Sequence, residues 1–254
     1  MYGKITFWPI MKTYKIFGSK FVDGTFQEIL NELSLGGLMV VPAAPALAMI
    51  NENHQYSKAL QDADISIFDS GFLCLLLFLF KGIRVRKLSG LEFLRKFLRS
   101  LKNTEENQIF LVEPTEKDAD LNKKLFENHA IPIGSNQYIA PFYKENEISD
   151  AELLGIIEAR RPKYIIINLG GGVQEVLGAY LKNNLDEAYR PAIICTGAAI
   201  AFLTGGQANI PKFVDYLYLG WFARCIADPR RFIPRYLSGF KLIKTLLMTK
   251  VEKC

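Results

Sequence analysis

Three stretches of this sequence place reactive residue types where an α/β protein keeps its chemistry. The first is Ile67-Phe68-Asp69-Ser70-Gly71. A carboxylate directly after an apolar run, followed by glycine, stands at the carboxyl end of a strand, where open α/β sheets bind ligands. There Asp69 can act as a general base, or it can be a turn aspartate bonded to its own backbone. The second is Asn168-Leu169-Gly170-Gly171-Gly172-Val173-Gln174-Glu175. Three glycines between a strand and a helix let backbone N–H groups and a helix N-terminus face a phosphate. A ligand-free β–α turn is the simpler alternative, although one glycine suffices for that. No Gly-Lys-Ser/Thr follows, so kinase and ATPase loops are excluded. Thr196-Gly197-Ala198 ends the next strand and can line the same crevice. The third is Arg224, Arg230, Arg231 and Arg235, four guanidiniums interleaved with Pro229 and Pro234. Such a set suits bidentate capture of a diphosphate, or forms a solvated basic face.

Other reactive types are set aside. Asp62-Ala63-Asp64 spells a DxD metal motif, but it precedes its strand, at the amino edge, and reads as a helix end. His54 and His129 have no partner at ligand or triad spacing and are expected at the surface. The four cysteines (74, 195, 225 and 254) are far apart, so neither a disulfide framework nor a zinc site is readable. No metal site is expected.

The elements that position these residues follow from hydrophobic pattern. Leu38–Val41, Ile65–Phe68, Ile109–Val112, Tyr164–Ile167 and Ala192–Cys195 are near-continuous apolar runs, as expected for strands covered on both faces. Thr25-Phe26-Gln27-Glu28 has capping-box spacing before Ile29, Leu30 and Leu33. Ser149-Asp150-Ala151-Glu152 repeats it before Leu153, Leu154, Ile156 and Ile157, and Pro162 stops that helix. The expected fold is α/β, a layered and mostly parallel sheet flanked by helices.

With 254 residues, half of them hydrophobic and 22% charged, the chain can bury a large core and is not disordered. Its longest apolar run, Phe72 to Phe80, is nine residues, against the roughly 20 a membrane-spanning helix needs. The opening residues show no secretory signal pattern, and a reduced cytoplasmic setting is expected. Charge is unevenly placed. Trp221 to Cys254 carries eight basic residues against Asp228 and Glu252, a net +6, leaving about −1 for the rest of a chain of net +5. Ile233, Tyr236, Leu237, Phe240, Ile243 and Leu247 follow helical spacing, with Lys241, Lys244 and Lys250 off that stripe. The chain divides into an α/β body over 1–220 and a basic amphipathic helical appendage over 221–254. The appendage is expected to lie on an anionic membrane surface or to dock on the body.

Taken in order, these residues resemble the WecG/TagA/CpsF glycosyltransferases, from about Gly18 to Leu237. The resemblance rests on Phe21-Val22-Asp23, Val40-Val41-Pro42-Ala43, Ala63-Asp64 through Asp69, and Arg86-Lys87 before Ser89-Gly90. It continues through the glycine loop with Gln174-Glu175, Gly197-Ala198, and Trp221-Phe222-Ala223-Arg224 through Arg235-Tyr236-Leu237. It implies a GT-E-type fold and an inverting, metal-independent transfer of an N-acetylmannosamine-type sugar. The donor would be a UDP-sugar and the acceptor an undecaprenyl-diphosphate-linked glycan, at the inner face of a bacterial cell membrane. No nucleic acid partner is implied. Asp69 matches the family's proposed base. Gly170, Gly171, Gly172, Gln174, Glu175 and Gly197 would hold the nucleotide-sugar, and Lys87, Arg224, Arg230, Arg231 and Arg235 the diphosphate or acceptor.

Several positions depart from the family pattern. Thr-Pro-Asn is replaced by Val41-Pro42-Ala43, and Asp-Gly by Asp69-Ser70-Gly71. Gly-x-Pro-x-Gln-Glu is replaced by Gly170-Gly171-Gly172-Val173-Gln174-Glu175. A glutamate is replaced by Gly220 and an arginine by Asn209. These leave two alternatives open: a non-catalytic nucleotide-sugar-binding partner in a polysaccharide assembly complex, and a different nucleotide-binding α/β enzyme.

Overall fold

Five strands have every residue buried: β3 (Gly37–Val40), β4 (Ile65–Ile67), β5 (Ile109–Glu113), β7 (Tyr164–Ile167) and β8 (Ala192–Cys195). Neither face of such a strand meets water, and alternate residues feed two separate cores. Leu38, Val40, Ile165 and Ile167 enter one, while Met39, Val41, Tyr164 and Ile166 enter the other. A computed structural model describes residues 11–101, 108–144, 147–205, 230 and 239–254.

Among these residues, nine strands form one sheet in the order β6-β5-β7-β8-β3-β4-β2-β1-β9. Every pairing from β6 (Gln137–Ile139) through to β2 (Ser19–Asp23) is parallel, as expected. The antiparallel edge is a finding beyond the sequence reading. β1 (Lys12–Ile16) turns into β2 through Phe17 and Gly18, at φ 54° and 81°. Two positive φ values are what a two-residue hairpin turn requires. β9 (Glu252–Lys253) then pairs with the outer edge of β1.

The helices cover both faces. In α1 (Phe26–Leu33) the capping box forms as expected: the Glu28 N–H donates to Thr25 Oγ1 at 3.3 Å, and the Thr25 N–H to Glu28 Oε2 at 2.6 Å. The second box does not form. α7 (Ala151–Arg160) is capped by Asp150, not Ser149, because the Asp150 carboxylate accepts from three donors at once. These are the Leu153 N–H at 2.8 Å, Tyr143 Oη at 2.7 Å and Tyr138 Oη at 3.0 Å. In α8 (Val173–Asn184), a Cβ on Gly178 would lie 2.8 Å from Leu38 Cδ1 and 2.9 Å from Cys195 Sγ. Only glycine allows this helix to sit so close to β3 and β8.

The DxD pair sits at the amino edge, as expected. Asp62 ends α3 (His54–Asp62), and Asp64 Oδ2 accepts from the Leu38 N–H and Lys182 Nζ, both at 2.8 Å. Its partners are a backbone amide and cations, which makes it a clamp between β3 and α8.

The end of the chain docks on the body. Leu242 and Leu246 of α9 (Lys241–Met248) are wholly buried, against α2 (Ala44–Ala48) and α4 (Gly71–Lys81). This corrects the expected stripe: Phe240 and Leu247 are about half exposed, and the inward face runs through Leu242 and Leu246 instead. Ile233, Tyr236 and Leu237 lie outside the described residues, as does the expected boundary at 220/221. No helix among the described residues is long and apolar enough to cross a membrane.

Candidate active site

Parallel strands end at a common edge, and here that edge collects Val41, Asp69, Glu113, Asn168 and Thr196 from β3, β4, β5, β7 and β8. Asp69 is half-buried, and its Oδ1 accepts from the Gly90 N–H at 2.9 Å. That bond spans 21 residues, so Asp69 is not merely a turn aspartate bonded to neighbouring backbone. The segment carrying Gly90 is held beside β4 by a second bond, from the Leu88 N–H to Phe68 O at 3.0 Å. Lys87 therefore comes to the same edge. The charges of Lys87 and Asp69 both act on Cys74, whose thiol burial pushes up to about 12. Ser70, the extra residue between aspartate and glycine, caps α4 by accepting the Leu73 N–H at 3.2 Å.

Two departures from the family pattern also find their places. Val41 is buried beneath the Gly90 turn, where a Cβ on Gly90 would meet Val41 Cγ1 at 3.1 Å and Thr196 O at 3.3 Å. Ala43 occupies the N-cap of α2 and offers no side-chain cap.

The glycine loop divides into two parts. Gly170 and Gly171 are exposed, with open space where a Cβ would stand. Gly172, at φ 96°, is tied inward: its N–H donates to Glu175 Oε2 at 2.7 Å. Gln174 Nε2 donates to Glu175 Oε1 at 3.1 Å, and Gln174 Oε1 accepts from the Gly197 N–H at 2.7 Å. The sequence grouped Gly172, Gln174, Glu175 and Gly197 as binding residues. The structure joins them in one buried relay that holds the loop after β7 against the turn after β8. Burial pushes the Glu175 carboxyl up to about 7, opposed by these donors.

Sequence reasoning missed Glu113. It ends β5, is wholly buried, and accepts from Asn122 Nδ2 at 2.7 Å and Asn168 Nδ2 at 2.9 Å. Desolvation raises its carboxyl to about 7. The signal was present as a lone acid closing the apolar run Ile109–Val112. Beside it lies a cavity of about 220 Å³ lined by Pro114, Asp118, Asn122, Asn168, Leu169, Gly170, Ile200 and Ala201. Asn168 Oδ1 and Thr196 Oγ1 are buried at this edge without a hydrogen-bond partner among the described residues.

From β4 to β7 the edge crosses three strand intervals, about 14 Å. The structure thus places Asp69 and Lys87 at one end of this sheet edge and the open glycines at the other. Thr196 and Gly197 stand between them. Arg230 is exposed. Arg224, Arg231 and Arg235 lie outside the described residues. Among the described residues, no group of three His, Cys, Asp or Glu gathers as a metal site requires.

A search of the curated proteins finds no match. The family model described as "Glycosyl transferase WecG/TagA/CpsF family" matches residues 14–253, nearly the whole chain. That span takes in most of strand β1, the sheet edge carrying Asp69 and the glycine loop, and the docked tail, and the fold is the α/β arrangement of the GT-E-like kind. The chain belongs to the WecG/TagA/CpsF family and is a glycosyltransferase of cell-surface polysaccharide synthesis.

Proposed function

We propose that the enzyme transfers a sugar, of the N-acetylmannosamine type or related, from a UDP-sugar to an undecaprenyl-diphosphate-linked glycan, with inversion and without a metal. The observation that carries this reading is the shared edge on which Asp69 and the open glycines lie. Asp69 takes the proton from the acceptor hydroxyl as that oxygen attacks the anomeric carbon. The bond to UDP breaks on the opposite face, so the configuration inverts. Gly170 and Gly171 present backbone N–H groups to the nucleotide phosphates, and the buried relay through Gln174 and Glu175 keeps that loop in place. Lys87, with Arg224, Arg230, Arg231 and Arg235, neutralises the leaving diphosphate or the lipid carrier. Asn168 Oδ1 and Thr196 Oγ1 support a polar ligand in the crevice, because buried polar atoms in folded proteins find partners. The enzyme works at the cytoplasmic face of a bacterial membrane, with the residues after 220 serving the site and the surface.

Val41 and Ala43 favour a second reading, since both offer only apolar side chains where the family places Thr and Asn. On that reading the protein binds a nucleotide-sugar within an assembly complex and does not turn it over. A panel of UDP-sugars, assayed with membrane extract as acceptor, separates the two. Sugar transferred to lipid supports the enzyme, whereas binding without transfer supports the partner.

A further inference from the structure

Nine large hydrophobic side chains are strongly exposed among the described residues, and six of them come from two elements about 160 residues apart. Phe78, Leu79 and Phe80 end α4 at 49%, 61% and 45% exposure. Phe240 precedes α9 at 49%, and Leu247 and Met248 end it at 52% and 79%. The first half of α4 is ordinary core, with Phe72, Leu73, Cys74, Leu76 and Leu77 buried. Three consecutive exposed residues cover about 200° of a helix, so most of the circumference of α4 near its end faces outward, while Leu77 and Ile83 keep the remaining side on the core. The two elements meet. The Phe72 and Phe240 rings lie 5.7 Å apart, and Lys81 Nζ donates to Leu247 O at 3.4 Å.

The rim is basic. Lys81, Arg84, Lys241, Lys244 and Lys250 flank the apolar residues along the chain, and the Arg84 guanidinium stands 5.5 Å from the Phe78 ring centroid. Against these five stand Glu52, paired with Lys241 at 3.0 Å, and Glu252, paired with Lys250 at 2.9 Å. Scattered exposed hydrophobics need no explanation, but a contiguous apolar patch with a rim of one sign marks an interaction surface. We propose that the end of α4 and the outer face of α9 form one docking surface for an anionic membrane. The apolar side chains enter the headgroup boundary and the basic rim engages lipid phosphates.

The surface also fixes where the site stands, a consequence that rests on the lipid-linked acceptor proposed above. α4 starts two residues after Asp69, and its 11 residues span about 16 Å. One rigid helix therefore links Asp69 to the membrane contact. A lipid carrier embedded beside that contact would present its diphosphate and sugars along the helix toward Asp69. The inward-facing Leu242 and Leu246 are spent on docking the tail, so they take no part in the contact.

The test uses the full chain and three readouts. Co-sedimentation is measured with phosphatidylcholine vesicles with and without phosphatidylglycerol, alongside UDP affinity and light scattering. The variants are Phe78→Ser/Leu79→Ser/Phe80→Ser and Leu247→Ser/Met248→Ser, checked for unchanged melting. Each should bind phosphatidylglycerol vesicles at least tenfold more weakly than the parent, with UDP affinity unaltered. Lys244→Glu should weaken binding to the anionic vesicles alone, and added salt should do the same. Vesicle binding untouched by both apolar variants would overturn the proposal. So would a parent that ignores vesicles and instead self-associates through this face, seen as a mass that falls in the variants. Loss of UDP binding in the parent itself would count against the glycosyl-transfer reading and leave the vesicle result standing.

Discussion

The Asp69 carboxylate and the Gly90 backbone are joined by a 2.9 Å hydrogen bond that crosses from the end of β4 to the first turn of α5 (Gly90–Ser100). Because one carboxylate oxygen is held by an N–H, an asparagine at 69 can keep that bond through its own carbonyl oxygen. Asp69→Asn should therefore fold and bind UDP as the parent does, yet lose about 10²–10⁴-fold in turnover. Parallel measurement of kcat and UDP affinity checks this. Turnover within a few-fold of the parent would remove Asp69 as the base.

Gln174 is the middle of the relay between two loops. Gln174→Ala leaves one buried Glu175 oxygen and the part-buried Gly197 N–H without their partner. Each orphaned group costs about 1–3 kcal/mol. We expect a lower melting temperature together with weaker UDP binding, because the loop after β7 and the turn after β8 lose their common tie. A variant with normal melting and normal affinity would show that the relay holds nothing.

Glu113 and Glu175 make stability depend on pH in a known direction. Their carboxyls lie near 7 in the folded chain, against an ordinary value of 4.5. Between those values the folded state binds more protons than the unfolded one, so stability falls as pH rises. The contribution is complete below about 4.5 and is lost as pH passes about 7. For each group the loss is of order 3 kcal/mol. Glu113→Gln can be accommodated by rotation of the Asn168 amide, whose Oδ1 has no partner among the described residues. Denaturant melts between pH 5 and 8 should show roughly half the parental loss in that variant. An unchanged slope would mean that Glu113 titrates as an ordinary carboxylate.

Asp64 should matter to the fold and not to metal binding. Asp64→Ala removes the acceptor of the Leu38 N–H and the partner of Lys182, and leaves Arg190, 3.3 Å away, without its carboxylate. The expected cost is about 1–3 kcal/mol, seen as a lower melting temperature. Transfer should survive EDTA in the parent. Activity lost to EDTA and restored by Mn²⁺ or Mg²⁺ would return Asp62 and Asp64 to the chemistry.

Leu246 tests the docked tail. It is wholly buried against the body, so Leu246→Ala should cost about 2–5 kcal/mol. Leu247→Ala, on the exposed side, should cost little. Equal and small effects at both positions would mean that α9 does not pack as described.

Much of this protein is determined by its sequence alone, because the relevant physics is local. Continuous apolar runs identify the five central strands, since no alternation survives where both faces are covered. The Thr25 capping box and the Pro162 stop act within one helical turn and form as written. Asp69 is placed at a strand end by the run before it, and the glycine loop by the strand and helix around it. Tertiary structure alone decides what those residues touch. Asp69 meets Gly90, and Gln174 meets Gly197, through bonds that span 21 and 23 residues and that no periodicity encodes. Glu113 is passed over in the sequence, since nothing local announces that Asn122 and Asn168 close over it. The tail shows the same limit. Helical spacing establishes that its apolar residues share faces, but which face turns inward depends on where α2 and α4 receive it. Leu242 and Leu246 are buried there, while Leu247 and Met248 are left exposed on a helix that meets α4 at Lys81, a neighbourhood set only by the packing of distant segments.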